Sequence, residues 1–185
     1  MSKLTHDQQA VLAAWQQHTY AEFVLKDADA ALATMTETPY VFLIASGVAR
    51  VGRAAVHEFY ANKFLPRITP DLEITSLSQT IGNDRMVEEM LIRFTHSIDM
   101  DWMLPGLQPT GRRAEFIVAA VIQIADGKVA HEHLYWDHAT VLSQLEVLDH
   151  PMAAAGVNSA GQLLKLCDLH KGRVGSTAAV LGEAR

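Results

Sequence analysis

The segment His131-Glu132-His133-Leu134-Tyr135-Trp136-Asp137-His138 carries six ionisable side chains in eight residues. Read as a strand, it projects His131, His133, Tyr135 and Asp137 to one face and Glu132, Leu134 and Trp136 to the other. Two imidazoles, a phenol and a carboxylate on one face have the means to move protons. The same pattern also describes a solvated polar face. Asp137 follows the strand and precedes a helix, where a carboxylate caps free backbone N–H groups, with Trp136 and Val141 at the staple positions around it. His131 and His133 are spaced to reach one metal ion together. A closed zinc site needs further ligands and Glu132 points the other way, so no metal is expected. His96 lies between Phe94 and Ile98 on an apolar face, as a core histidine or as a neutral proton acceptor or donor in a pocket. Ser46-Gly47 lacks a nucleophile elbow, and Cys167 beside Leu163, Leu164 and Leu166 reads as packing. No glycine-rich phosphate loop occurs, so no nucleotide cofactor is indicated.

The elements that must position these residues change character along the chain. Thr5 and Gln8 form a capping box, followed by the stripe Leu12, Trp15, Thr19 and Phe23 of a buried helix face. A second helix is predicted from Ala28 to Met35, broken by Pro39, and Tyr40–Ala45 reads as a strand buried on both faces. Gly52 opens a third helix with Val56, Phe59, Tyr60 and Phe64 on one side, ended by Pro66. From Leu72 the period is two. Strands are predicted over 72–81, 86–98, 115–124 and 129–136, the last two joined by the Asp126-Gly127 turn. On 86–98, Met90, Ile92, Phe94, His96 and Ile98 share a face. A helix over 139–148, a stretch over 160–169 and a small-residue tail from Lys171 follow. Helices segregated from antiparallel strands make an α+β class, read as a curved sheet wrapped over helices that can enclose a cavity.

The chain has 185 residues, 15 Lys+Arg and 21 Asp+Glu, a net charge of −6, and one cysteine. An acidic balance argues against a nucleic-acid or anionic-membrane partner. A single cysteine excludes an intramolecular disulfide framework. The longest apolar run, Phe116–Ile122, is far short of the ~20 residues that span a bilayer. With no signal-like N-terminus, the expected location is cytoplasmic.

The ordered series Arg93-Phe94-Thr95-His96, Leu104-Pro105-Gly106, Pro109-Thr110-Gly111-Arg112, Asp126-Gly127-Lys128-Val129 and Tyr135-Trp136-Asp137, then Leu142 to Leu145, resembles the SnoaL-like polyketide cyclase family of the nuclear transport factor 2-like superfamily. The resemblance implies a cone-shaped barrel of a strongly curved, mostly antiparallel sheet packed on three N-terminal helices. It implies one domain over 1–150, with 151–185 as a C-terminal helical extension, often assembled as a homodimer through the outer sheet face. It also implies aldol-type ring closure without metal or organic cofactor, with Asp137 as acid/base and His96 in the pocket. Ser97-Ile98-Asp99 stands where the family has a glycine soon after the histidine.

The reading that follows is a cofactor-independent acid/base enzyme, a cyclase, isomerase or lyase, acting on a small apolar carbonyl compound. Asp137 is the candidate base, and His96, His133 and Tyr135 are candidate oxyanion donors. Trp15, Phe23, Tyr60, Phe94, Trp102 and Phe116 are the candidate walls, which would raise the carboxylate's pKa. Three alternatives stand beside it: a non-catalytic small-molecule binding protein using the same pocket, epoxide or lactone opening by Arg93 with Asp99 or Asp101, and a dimer with no ligand.

Overall fold

The computed structural model describes residues 3–148 and 160–161. Helix α1 (His6–Tyr20) begins with the reciprocal cap foreseen: Gln8 N donates to Thr5 Oγ1 and Thr5 N donates to Gln8 Oε1 at 2.9 Å. Val11, Ala14, Trp15 and His18 form its buried face. A π-helical turn over Ala21–Leu25 continues it, closed by left-handed Lys26. Asp27 caps α2 (Ala28–Ala33) through the Asp29 and Ala30 N–H groups.

Strand β1 (Met35–Leu43) starts inside the stretch predicted as helix. Pro39 therefore does not end a helix. It falls in the irregular register between Met35 and Tyr40, where a missing N–H costs no ladder bond. β1 also alternates rather than being buried on both faces: Val41 and Leu43 are buried, while Tyr40 and Phe42 are half-buried. It turns into a short edge strand, β2 (Val48–Val51), which the sequence pattern did not indicate. Gly52, at φ 85°, leads into α3 (Arg53–Phe59), extended by a second π-helical turn, Tyr60–Phe64, and a 3₁₀ turn containing Pro66.

Four long strands complete the sheet: β3 (Glu73–Ile81), β4 (Arg85–Thr95), β5 (Arg113–Ala125) and β6 (Lys128–Trp136), before the short helix α4 (His138–Gln144). The six strands run in the order β2-β1-β6-β5-β4-β3, and only β1 and β6 pair in parallel. The fold is α+β as expected. The sheet is open, with β2 and β3 as edges, so it is a curled sheet closed over by helices rather than a continuous barrel. Its inner face is lined by Met86, Glu88, Met90 and Phe94 of β4 and by Phe116, Val118, Ala120 and Ile122 of β5.

One irregularity decides which face of β6 joins them. Asp126 and Gly127 both take positive φ, 52° and 71°, as a tight two-residue hairpin requires. Ile124 pairs with Val129, but Gln123 pairs with His131, so Ala130 is the extra residue of a bulge. From there Ile122 faces Glu132, Ala120 faces Leu134 and Val118 faces Trp136. A slip of one residue exchanges the faces of a strand. Without the bulge, His131, His133 and Tyr135 would share the inner face; with it, Glu132, Leu134 and Trp136 do.

Of the predicted 160–169 stretch, Ala160 and Gly161 are described; they are helical, and Ala160 packs with Leu77 and Leu91. Cys167 and the tail from Lys171 lie outside the described residues. Among the described residues no helix is long and apolar enough to cross a membrane.

Candidate active site

The inner sheet face, α1 and α3 enclose a cavity of about 410 Å³. All of the predicted aromatic walls reach it: Trp15, Phe23, Tyr60, Phe94, Trp102 and Phe116 line it, with Met90, Ile92, Leu43 and Phe64. Phe94 and Phe116 meet edge to face at 6.0 Å, as do Phe64 and Trp102 at 5.1 Å.

The polar groups predicted to face this cavity do not line it. Asp137 is exposed and caps α4, accepting from Thr140 N at 3.2 Å and Thr140 Oγ1 at 2.6 Å. The Thr140 hydroxyl holds its carboxyl below the usual aspartate range, the opposite of the upward shift expected for a base in an apolar pocket. His133 and Tyr135 lie on the other face of β6, where the bulge puts them. His133 Nε2 is 3.0 Å from the Tyr40 hydroxyl, and its ring stacks on His131, which stacks on Tyr40. Tyr135 is 44% exposed. His96 is fully buried, but it follows β4 and pins the 96–112 loop: Thr110 N donates to its Nδ1 and Gly111 N to its carbonyl. Burial lowers its pKa and keeps it neutral. The residues considered for epoxide opening are also apart. Arg93 pairs with Glu115 and Glu73, Asp99 with Arg67, and Asp101 accepts from Gly106 N.

A different set of ionisable groups comes together at the cavity wall. His18 of α1, Glu22 of the first π-helical turn, Tyr60 at the start of the second, and Glu132 of β6 are each 3% exposed or less. His18 Nε2 lies 3.0 Å from Glu132 Oε1, 3.4 Å from Glu22 Oε1 and 3.3 Å from the Tyr60 hydroxyl, which donates to Glu132 Oε1 at 3.0 Å. The tautomer follows from the neighbours. Thr34 Oγ1 donates to the Ala31 carbonyl and so accepts from His18 Nδ1–H at 2.6 Å, which turns Nε2 toward the two carboxyl groups. Trp15 stacks on the imidazole at 5.8 Å. Both π-helical turns thus carry a member of the cluster, a placement common at functional sites.

Burial alone would lower the His18 pKa, but the charges of Glu22 and Glu132 and their hydrogen bonds push it up to about 10. Burial pushes Glu22 up, with the imidazolium pulling the other way. Burial and the two carboxylates hold the Tyr60 phenol well above its ordinary value, so it stays a donor. The cluster therefore sets the Glu22 carboxyl, its pKa pushed up by burial, beside Glu132, which is braced by the imidazole and the phenol. The ligand-type atoms of His18, Glu22 and Glu132 lie within 4.8 Å of one another, and shared protons account for their contacts. Two carboxyl groups side by side in different surroundings are the arrangement from which an acid/base pair is built.

A family model for SnoaL-like polyketide cyclases matches residues 14–145. The chain belongs to this family. Solved structures share the fold at low identity. A chain described as a SnoaL-like polyketide cyclase from Jannaschia sp. CCS1 superposes with a TM-score of 0.65 at 17% identity, covering 80% of this chain and 99% of its own. AclR from Streptomyces galilaeus, assigned as a hydroxylase, gives 0.59 at 18%, covering 90% and 99%. A chain described as a polyketide cyclase from Xanthomonas campestris pv. campestris gives 0.55 at 22%, covering 75% and 98%. No curated protein matches the chain. For this SnoaL-like chain the aromatic walls other than Trp102, which lies in a loop, were legible in the helix stripes and strands. The Glu22–His18–Glu132 cluster was not singled out; its one sequence signal is the i, i+4 pair His18/Glu22 within an apolar helix.

Proposed function

We propose that this SnoaL-like protein is a cofactor-independent enzyme that moves a proton at carbon beside a carbonyl of a small apolar compound, as a cyclase or isomerase does. The observation that carries the reading is the buried Glu22–His18–Glu132–Tyr60 cluster on the wall of an aromatic-lined cavity. Glu132 is the base. It takes the proton from the α-carbon, the C–H electron pair moves into the carbonyl, and the oxygen becomes an enolate. Glu22, whose carboxyl pKa is pushed up by burial, donates to that oxygen, while the Tyr60 phenol keeps its hydrogen bond to Glu132. The enolate carbon then attacks a second carbonyl, closing a ring, and the alkoxide formed takes the proton from Glu132; or Glu132 returns that proton at another carbon of the enolate, completing an isomerisation. A positioned base contributes roughly 10²–10⁴-fold and each oxyanion donor roughly 10²–10³-fold. His18 acts through Glu132 as a positioning residue.

The test is deuterium uptake from D2O at the α-carbon of 1-tetralone, followed by NMR with purified protein. Exchange above the buffer rate that falls at least a hundredfold in Glu132→Gln supports the proposal. Exchange unaffected by that variant refutes Glu132 as base, and saturable binding without exchange makes the chain a ligand-binding protein instead.

A further inference from the structure

Glu88 is a second buried carboxyl group on the same cavity, two strands away from Glu132, and the proton-transfer scheme leaves it unused. It is 6% exposed and lines the cavity. Glu88 and Leu134 both sit opposite Ala120, and Glu132 lies two residues further along β6, so the two carboxyl groups serve different parts of the chamber. Trp15 Nε1 donates to Glu88 Oε2 at 2.6 Å, Ser76 Oγ to Oε1 at 2.5 Å and Gln79 Nε2 to Oε1 at 2.9 Å. Both oxygens thus face N–H donors that can only donate, the geometry of a carboxylate.

A carboxylate has about four acceptor positions, and three are filled, which leaves one on Oε2. No ion pair reaches Glu88 among the described residues, and no lysine or arginine lines the cavity. A buried carboxylate without a cation is costly unless every acceptor is satisfied. The unmet demand is therefore for a donor, and Glu88 lines the cavity from which a ligand can supply it. A second open group on the cavity has the opposite demand. The indole Nε1 of Trp102, also on the cavity lining, is buried with no partner and requires an acceptor.

We infer that Glu88 is the specificity determinant of this cavity: it docks a hydroxyl or other hydrogen-bond donor of the ligand at the end away from Glu132, and it turns away ligands that carry a carboxylate there. The inference rests on the reading that this cavity is the ligand site. It selects, among small carbonyl compounds, those with a donor group remote from the reacting carbonyl. Trp15 couples the two ends, because the indole that donates to Glu88 also stacks on His18.

The experiment compares four probes by fluorescence or NMR titration of the full chain: 1-tetralone and its 6-hydroxy, 6-methyl and 6-carboxy derivatives. Hydroxyl and methyl are close in size, so an apolar wall would prefer methyl and a carboxylate station would prefer hydroxyl. The expected result is hydroxyl binding at least tenfold tighter than methyl, with the carboxylate weakest. In Glu88→Gln the hydroxyl advantage falls to threefold or less. Methyl binding as tightly as hydroxyl in the unmodified protein overturns the inference without recourse to any variant, as does an undiminished preference in folded Glu88→Gln. The same titrations in Glu132→Gln separate this inference from the proposed reaction. A hydroxyl preference without α-carbon exchange leaves Glu88 standing and removes the reaction. Exchange without the preference does the reverse.

Discussion

Raising the pH from 7 to 9 destabilises the protein through one buried imidazole. His18 is ordinarily half-protonated at 6.5; burial works against its charge, but the charges and hydrogen bonds of Glu22 and Glu132 raise this to about 10. The folded chain therefore keeps a proton that the unfolded chain has released. A raised pKa stabilises fully below 6.5, and the contribution is lost as pH climbs through the folded value. One retained proton is worth about 1.4 kcal/mol per pH unit, so two units cost on the order of 3 kcal/mol. Against a total of roughly 5–15 kcal/mol, that loss is large. Glu22, also raised by burial, has the same sign: its stabilisation is present below the usual glutamate range and is lost as pH rises through its folded value. Urea unfolding followed by tryptophan fluorescence at pH 7, 8 and 9 measures the slope. Trp15, stacked on His18, is a built-in reporter. His18→Gln should remove the imidazole's share, leaving a shallower slope. Direct NMR titration of the His18 ring places its midpoint well above 6.5. The reasoning is refuted if His18 titrates near 6.5, or if the wild-type slope is no steeper than that of His18→Gln.

Three further outcomes follow from the fold. Asp137→Ala lowers stability by about 1 kcal/mol through loss of the α4 cap, measured by thermal melting, while Asp137→Asn leaves exchange within threefold of the unmodified rate. Deleting Ala130 removes the bulge and turns Glu132, Leu134 and Trp136 outward; the variant is expected to be insoluble or to lack cooperative unfolding. Phe94→Ala, which empties a position 1% exposed against Phe116, costs about 3–5 kcal/mol by urea unfolding.

Much of the architecture could be read from local chemistry. The Thr5–Gln8 cap, the Gly52 helix start and the Asp126-Gly127 hairpin are short-range signals, and each forms where it was expected. The Asp137 cap was equally visible, as one of two readings of that residue. What could not be read was parity. Ala130 has no property that marks it as an unpaired residue, yet its insertion exchanges the two faces of β6 and replaces the histidine face by Glu132 at the cavity. Glu88 shares the parity of Met90, Ile92 and Phe94, but a glutamate among strand residues ordinarily reads as exposed. Its burial depends on Trp15, 73 residues away, a contact that no local pattern contains.

The account stands or falls on which carboxyl group takes the proton, the one inside the cavity or the one capping α4. Side-by-side rates of 1-tetralone deuteration for Glu132→Gln and Asp137→Asn, both checked for native circular dichroism, decide it. The expected result is at least a hundredfold loss for Glu132→Gln with Asp137→Asn near the unmodified rate. The contrary result, a collapse in Asp137→Asn with Glu132→Gln unimpaired, would return the chemistry to the α4 cap and leave the buried cluster a structural feature.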